Sequence, residues 1–246
     1  MTSAADPADP KEPAGPTTGA APAADTAPEP PPETPQRLPL RERKKLRTRQ
    51  ALVDAALRLF TTQGFAETTL DQLVDAVEVS KRTFFRAFSG KEDVALAPEK
   101  ELWDTYRRRI EASELDGPLL TAYQDALIAA IADMSDGWEG RFLVSRALAD
   151  RTPALTAHSL QHCAEVTDAV VATVVERLPA ERGIGALPAR LLLELMVAAW
   201  RNALREWSTG AGRDPATAGA DDREALRASV RASFTALPAV APLLQP

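Results

Sequence analysis

The chain has 246 residues, 45% of them hydrophobic and 26% charged, values typical of a globular protein with a sizeable core. Its formal net charge of −6 argues against a nucleic-acid partner, but bulk charge is a weak guide where charges of opposite sign are segregated along the chain. A single cysteine excludes an intramolecular disulfide framework. No apolar run reaches the ~18 residues that cross a bilayer, and no signal-peptide pattern opens the chain, so we expect a cytoplasmic protein with no membrane partner.

Residues 1–40 are dominated by Ala, Pro, Thr, Asp and Glu, with prolines crowded between residues 28 and 35. Such a segment has too little apolar surface to offset its conformational entropy, and proline removes backbone donors. The sequence therefore predicts a disordered, mildly acidic tail.

The charge then reverses, because residues 41–49 hold six Lys or Arg side chains and one acid, Glu42. Basic arms commonly neutralise phosphates without reading sequence. A solvated helix start is the alternative, although cations are poorly placed at the positive end of a helix dipole. This helix is expected to continue to Gly64, a residue suited to the position after a helix C-terminus.

Two short helices joined by a tight turn are predicted between Thr68 and Phe88. Thr69 and Gln72 have the spacing of a capping box at the start of the first helix. One apolar stripe at helical period follows, formed by Leu70, Leu73, Val74 and Val77.

The second of these helices is expected to begin after a Ser80 cap. Phe84 and Phe88 share one face, while Arg82 and Arg86 lie nearly opposite. A short exposed helix with basic and hydroxyl residues near its N-terminus suits the major groove of DNA. The alternative is an ordinary helical hairpin with a solvated charged face.

Residues 47–96 resemble the N-terminal domain of TetR-family transcriptional regulators. The matching features are AALRLF, the Gly64-Phe65 turn, Thr68-Thr69, Val79-Ser80, Thr83-Phe84-Phe85, Phe88 and Lys91-Glu92. The resemblance implies an all-α protein with a three-helix helix-turn-helix DNA-binding domain over residues 41–90. A helical ligand-binding and dimerisation domain over residues 91–246 is implied as well.

The resemblance also implies a set of DNA contacts at matching positions. These are Lys44, Arg47, Thr69, Ser80, Lys81, Arg82, Thr83, Phe85, Arg86 and Lys91, the last expected to follow a Ser89 cap. Three positions depart from the family pattern: Glu78 replaces the usual turn glycine, Phe85 lacks the hydroxyl of a frequent tyrosine, and Ala87 replaces a residue that is often Tyr or His. The departures shift recognition onto Arg82 and Arg86.

A fourth helix is predicted over about Lys91 to Ala112, with Pro98 inside it. Proline within a helix costs ~3 kcal/mol or more, so the helix bends or divides there. In the family this helix links the DNA-binding and ligand-binding parts. A hinge and a static bend are equally open interpretations.

Residues 113–246 read as successive helices, with breaks at Gly117-Pro118, Asp136-Gly137, Thr152-Pro153, 179–187 and 210–219. Ligand cavities in helical bundles are lined by apolar and aromatic side chains, although most such residues are simply core. The predicted lining is Trp103, Tyr106, Leu127, Ile131, Met134, Trp138, Phe142 and His162.

His158, His162 and Glu165 share one helix face, beside Cys163, and these residue types bind transition metals. Spacing alone is weak evidence, so we predict no metal and no cofactor. The chain also has no phosphate-binding glycine loop and no nucleophile elbow, so we expect no enzymatic activity.

Amphipathic helices are predicted over residues 188–207 and 222–237. In the family the last two long helices pair with those of a second chain, and burial within one subunit is the alternative. The expected dimer contacts are Leu192, Leu195, Met196, Ala199, Trp200, Ala203 and Phe234.

The sequence thus predicts a homodimeric regulator that binds a palindromic DNA operator and represses transcription until a small, largely apolar ligand releases it. A constitutive DNA-binding dimer without an effector is the first alternative. A helical metal-binding or enzymatic module that never touches DNA is the second.

Overall fold

A computed structural model describes residues 39–178, 180–209 and 214–239, and all regular structure in these ranges is helical. The α-helices are α1 (Leu40–Thr62), α2 (Leu70–Asp75), α3 (Lys81–Phe85), α4 (Lys91–Ala95), α5 (Ala97–Ala112), α6 (Leu119–Ala132), α7 (Trp138–Ala149), α8 (Pro153–Arg177), α9 (Ala186–Thr209) and α10 (Ala220–Ala236). A short 3-10 helix, Ala180–Arg182, precedes α9. The predicted all-α class is confirmed.

The predicted tail lies outside the described residues except for its last two, and Leu40 already begins α1. The predicted helix breaks lie at the ends of observed helices, but Pro153 already begins α8, and the 179–187 break contains the 3-10 helix and the first two residues of α9. Residues 210–213 of the last break are outside the described ranges. In the part of the chain that is described, no helix is both long and apolar enough to cross a membrane.

Local signals set the ends of the first three helices. Gly64 follows α1 with a φ of +101°, the left-handed region that glycine adopts without steric cost. Gln72 Oε1 accepts the Thr69 N–H at 2.7 Å and the Thr69 hydroxyl accepts the Gln72 N–H at 3.3 Å, which completes the predicted capping box. Ser80 caps α3 by accepting the Thr83 N–H at 3.1 Å.

The helix α3 is shorter than predicted, since it ends at Phe85. A hydrogen bond from the Phe88 N–H to the Phe84 carbonyl, 2.9 Å, nevertheless continues the turn and keeps both rings in the core. In the preceding turn Glu78 takes a φ of +53°. A left-handed conformation costs a residue with a side chain roughly 1–2 kcal/mol, so this turn is strained where the family has glycine.

The predicted long helix over residues 91–112 is divided in two, because α4 ends at Ala95 and α5 begins at Ala97. Pro98 lies in the first turn of α5, where its missing N–H removes no helical hydrogen bond. The N-cap of α4 is Gly90 rather than the predicted Ser89. Ser89 instead donates its N–H to Asp93, at 2.8 Å.

Asp93 joins the two pieces of the divided helix. Lys100 Nζ of α5 lies 2.6 Å from its carboxylate. Burial raises the pKa of Asp93, but the hydrogen bonds from Lys100 and Ser89 outweigh it and hold the pKa below its ordinary value. The carboxylate is therefore ionised at neutral pH and ties α4 to α5.

Two hydrophobic clusters form the interior. The first gathers apolar side chains of α1 to α4 together with Leu148, Ala149 and Leu155. The second and larger cluster fills the space among α5 to α10. The helix α7 contributes to both and is tied to the α4–α5 junction, because Ser145 donates to the Ala95 carbonyl at 2.6 Å and Trp138 Nε1 to the Pro98 carbonyl at 2.8 Å.

The helix α10 is fastened to the start of α7 by a buried ion pair. Glu139 is 1% exposed and pairs with Arg223, which also donates to the Ala132 carbonyl at 3.3 Å and the Ser135 carbonyl at 3.2 Å. Next to it, Gly140 allows close approach of the chain before α10, because a Cβ there would lie 2.3 Å from the Pro215 carbonyl oxygen.

Candidate DNA-binding surface and ligand cavity

The helix α3 turns its apolar side inward and its basic side outward. Phe84 is fully buried, whereas Lys81, Arg82 and Arg86 are exposed. Lys81 Nζ lies 2.6 Å from Asp71, but both side chains are mostly solvated, so this pair contributes little. Within the part of the chain that is described, Arg82 and Arg86 have no carboxylate partner, which leaves two unmatched guanidiniums, one on α3 and one at its C-cap.

Three further residues predicted to touch DNA lie on α3 or cap it. The hydroxyls of Ser80 and Thr83 are 3.0 Å apart and shape the first turn of the helix. Phe85 is 57% exposed and meets the Phe84 ring edge-on, with centroids 5.5 Å apart. An exposed ring between two arginines is suited to apolar contact with a thymine methyl group.

Three cations of α1, Lys44, Arg47 and Arg49, have two kinds of surroundings. Lys44 and Arg47 are exposed, with no ion pair in the described ranges. Arg49 instead donates to the Ala87 carbonyl at 2.6 Å, and its guanidinium lies 4.2 Å from the centre of the Phe88 ring. Arg49 thus fixes the end of α3 against α1, while Lys44 and Arg47 remain available to phosphates.

Lys91 was predicted to contact a phosphate at the start of α4, but its ammonium binds backbone carbonyls of the protein itself. Its ammonium donates to the Phe65 and Thr68 carbonyls at 2.8 and 2.7 Å and lies 4.8 Å from the centre of the Phe65 ring. The side chain therefore braces α4 against the α1–α2 turn. A phosphate contact by this ammonium would require both hydrogen bonds to break.

A cavity of about 410 Å³ lies among α5, α7, α8 and α9. Trp103, Phe142 and Trp200 line it, with Trp200 centroids 5.8 Å from Trp103 and 6.2 Å from Phe142. Two predicted lining residues, Trp103 and Phe142, are therefore at the cavity. The other predicted residues are not among its lining, and apart from His162 they lie in the buried core: Tyr106, Leu127, Ile131, Met134 and Trp138.

Charged side chains at this cavity were not anticipated from the sequence. Buried Glu99 accepts from Ser159 at 2.6 Å and from Arg146 at 3.3 Å, and Arg146 also reaches Asp150 at 3.2 Å. Arg201 and Arg205 line the cavity too. Their one sequence signal is a spacing of four residues on α9, which places them on the same helix face.

Two titratable groups of α8 lie at or beside the cavity. Burial raises the pKa of the Cys163 thiol, an effect that Arg201 opposes. Burial, followed by the charge of Lys100, lowers the pKa of His162, whose Nε2 is buried without a hydrogen-bond partner. Among the described residues, no three His, Cys, Asp or Glu side chains converge as metal ligands, and Glu165 accepts from Gln161 at 2.9 Å instead.

Most residues expected at a dimer interface lie inside the single chain. Met196, Ala199, Trp200, Ala203 and Phe234 are all buried, because α9 packs its broad apolar face against its own neighbouring helices. Leu192 is half-buried. The exposed leucine stripe of α9 consists of Leu187, Leu191 and Leu195, which are 67, 57 and 42% exposed and four residues apart.

A capped recognition helix with unmatched cations, set on a helical body with a cavity, defines a helix-turn-helix DNA-binding regulator. Residues 52–97 match the model of bacterial regulatory proteins of the tetR family. The transcriptional regulator TcmR of Streptomyces glaucescens is 33% identical over 186 residues, which cover 74% of this chain and 82% of that protein. The chain belongs to the TetR family of transcriptional regulators.

Other relatives match shorter stretches or only loosely. The regulator AcrR of Shigella flexneri is 33% identical over 69 residues, 28% of this chain and 30% of that protein. The crystal structure of a putative TetR-family regulator from Mesorhizobium loti is 19% identical, covers 78% of this chain and 97% of its own, and has a TM-score of 0.41.

Proposed function

We propose that this regulator is a repressor that binds a palindromic operator as a homodimer and leaves it when a small molecule enters the α5–α7–α8–α9 cavity. The observation that carries the proposal is the pair of exposed, unmatched arginines at α3 and its C-cap, Arg82 and Arg86. An arginine without a counter-ion is free to form two hydrogen bonds with a guanine edge or to bind a phosphate.

Reading of the operator divides between two elements. Arg82, Arg86 and exposed Phe85 contact base edges and methyl groups in the major groove, and Lys44 and Arg47 bind phosphates. Phosphate contacts make affinity fall steeply with salt, whereas base contacts give sequence preference.

The exposed leucine stripe of α9 supports a second copy of this chain as the protein partner. Three large aliphatic side chains on one helix face are the kind of surface that a subunit contact covers. A two-fold dimer presents two α3 helices, and recognition helices about 34–36 Å apart read the half-sites of a palindrome.

The cavity and the recognition helix are connected through the divided helix. Glu99 lines the cavity, binds Ser159 of α8 and stands in the first turn of α5. The break before α5 leads to α4, whose Lys91 holds the α1–α2 turn. A ligand that displaces Glu99 would therefore shift α4 and the helices attached to it, which gives the break the role of a hinge.

DNA binding is tested by fluorescence anisotropy across a series of salt concentrations. The duplex DNA is taken from just upstream of the gene that encodes this protein. We expect Arg82→Ala and Arg86→Ala each to weaken binding by about 1.5–3 kcal/mol, roughly tenfold to 150-fold. Arg107→Ala, which removes an exposed arginine of α5, is the matched control and should bind like the wild type. Equal losses in all three variants would contradict the assignment to α3.

Release is tested with a small-molecule library, by melting temperature and DNA anisotropy together. A molecule that raises the melting temperature and frees the DNA supports induction, because ligands stabilise the state that they bind. Molecules that raise the melting temperature while DNA stays bound would favour a constitutive DNA-binding dimer.

A further inference from the structure

The cavity is lined by aromatic side chains and by charged side chains, only some of which have an ion-pair partner. Trp103, Phe142 and Trp200 are buried, the Trp200 ring contacts the other two, and Val197 and Leu204 extend this apolar surface. The aromatic rings of a ligand would pack well against this surface, since pairs of aromatic rings gain energy beyond the burial of their area.

Both carboxylates at the cavity already have a counter-ion. Arg146 lies 3.3 Å from Glu99 and 3.2 Å from Asp150, and Ser159 supplies Glu99 with a further hydrogen bond. An entering cation would therefore have to displace Arg146. This arrangement disfavours positively charged ligands.

The other two arginines of the cavity lack such partners. Arg201 and Arg205 stand one turn apart on α9, and neither has a carboxylate within ion-pair distance in the described ranges. Arg201 is close enough to the Cys163 thiol to lower its pKa, and a thiol is only a weak acceptor. An anion at this wall would gain two guanidiniums without breaking an ion pair.

We infer that the ligand of this cavity is an aromatic compound that carries an acidic group, with its rings on Trp103, Phe142 and Trp200 and its anion at Arg201 and Arg205. The inference rests on the proposed function, because it names the chemistry of the effector. A cavity of about 410 Å³ has room for two or three fused or linked rings.

Two dyes of one skeleton test this inference on the full chain. The probes are 1-anilinonaphthalene-8-sulfonate and N-phenyl-1-naphthylamine, which differ only by the sulfonate, and binding is followed by fluorescence titration. We expect the wild type to bind the sulfonate at least about tenfold more tightly, and Arg201→Gln/Arg205→Gln to remove that preference while binding of the neutral dye stays within about twofold.

Arg107→Gln/Arg231→Gln is the matched control, because it removes the same charge from exposed positions outside the cavity. The control should leave both affinities unchanged. Equal binding of the two dyes by the wild type, or equal losses in the cavity and control variants, would overturn the inference. If the glutamine variant fails to fold, Arg201→Lys/Arg205→Lys tests the same point: it should keep the preference for the sulfonate, and its loss would count against an anion site.

DNA anisotropy with each dye separates this inference from the proposed function. Arginine-dependent binding of the sulfonate dye that leaves DNA bound would support the ligand chemistry and contradict release. Arginine-dependent binding that frees the DNA would support both. Release by the neutral dye alone would overturn the anionic ligand and keep the repressor mechanism.

Discussion

The DNA-binding head, α1 to α4, and the helical body, α5 to α10, use arginine in different ways. In the head, Arg82 and Arg86 are exposed and have no counter-charge in the described structure. In the body, Arg223 pairs with buried Glu139 and Arg177 donates to the Ile110 and Ser113 carbonyls at 2.7 and 2.8 Å, while Arg201 and Arg205, without an ion pair in the described ranges, line the cavity. We therefore propose that cations without a partner, rather than net charge, indicate where this acidic protein binds anions.

The largest loss of stability is expected for Arg223→Ala, which tests whether this arginine of the body has a structural role. Removal of the arginine leaves Glu139 buried and uncompensated, which should lower the free energy of unfolding by about 3–5 kcal/mol. Urea unfolding measures the loss. Arg231→Ala breaks the exposed pair with Glu224 and should have a far smaller effect, so equal losses in both variants would contradict a structural role for Arg223.

The head was predictable from the sequence to a degree that the body was not. The capping box at Thr69, the Ser80 cap and the Gly64 turn depend on residues three or four apart, so their spacing alone specifies them. The position of the Lys91 ammonium depends on the α1–α2 turn, more than twenty residues away, and no local pattern reveals it.

In the body, periodicity showed which helix face is apolar but not what covers it. Trp200 was expected at a dimer interface and instead lines the cavity. The pair between Arg146 and Glu99 joins residues 47 positions apart, and only the packing of α7 on α5 brings them together. The polar part of the cavity therefore required the three-dimensional structure.

A smaller effect is expected at the strained turn of the head. Glu78→Gly removes a left-handed side chain and should raise the free energy of unfolding by about 1 kcal/mol, because the glycine entropy cost offsets part of the relief. Thermal unfolding and DNA anisotropy are measured together. A loss of stability would show that Glu78 makes contacts that outweigh its backbone strain.

Arg47→Ala should have a milder effect on DNA binding and none on folding. An exposed phosphate-binding cation adds little sequence preference, so the slope of log affinity against log salt should fall by about 1. Affinity for operator and random duplex should fall by the same factor. A selective loss of operator binding would place Arg47 among the base-reading residues.

The smallest predicted effect is on the pH dependence of stability and involves His162 of the body. Because burial lowers the pKa of His162 below its ordinary value of 6.5, the unfolded chain takes up the proton first as pH falls. The stability contribution of neutral His162 is therefore complete above about pH 6.5 and is lost as pH falls through its folded pKa. Urea unfolding at a series of pH values measures this loss. In His162→Gln the free energy of unfolding should fall less steeply as the pH is lowered, and an unchanged fall would contradict a contribution from His162.

The most direct test of the comparison is one anisotropy titration of operator DNA by three proteins without ligand: the wild type, Arg82→Ala/Arg86→Ala and Arg201→Gln/Arg205→Gln. Each double variant removes two positive charges. We predict that the α3 variant binds at least about a hundredfold more weakly and that the cavity variant stays within about twofold of the wild type. Equal weakening of both would mean that DNA responds to the total charge of the protein, and would contradict recognition by α3.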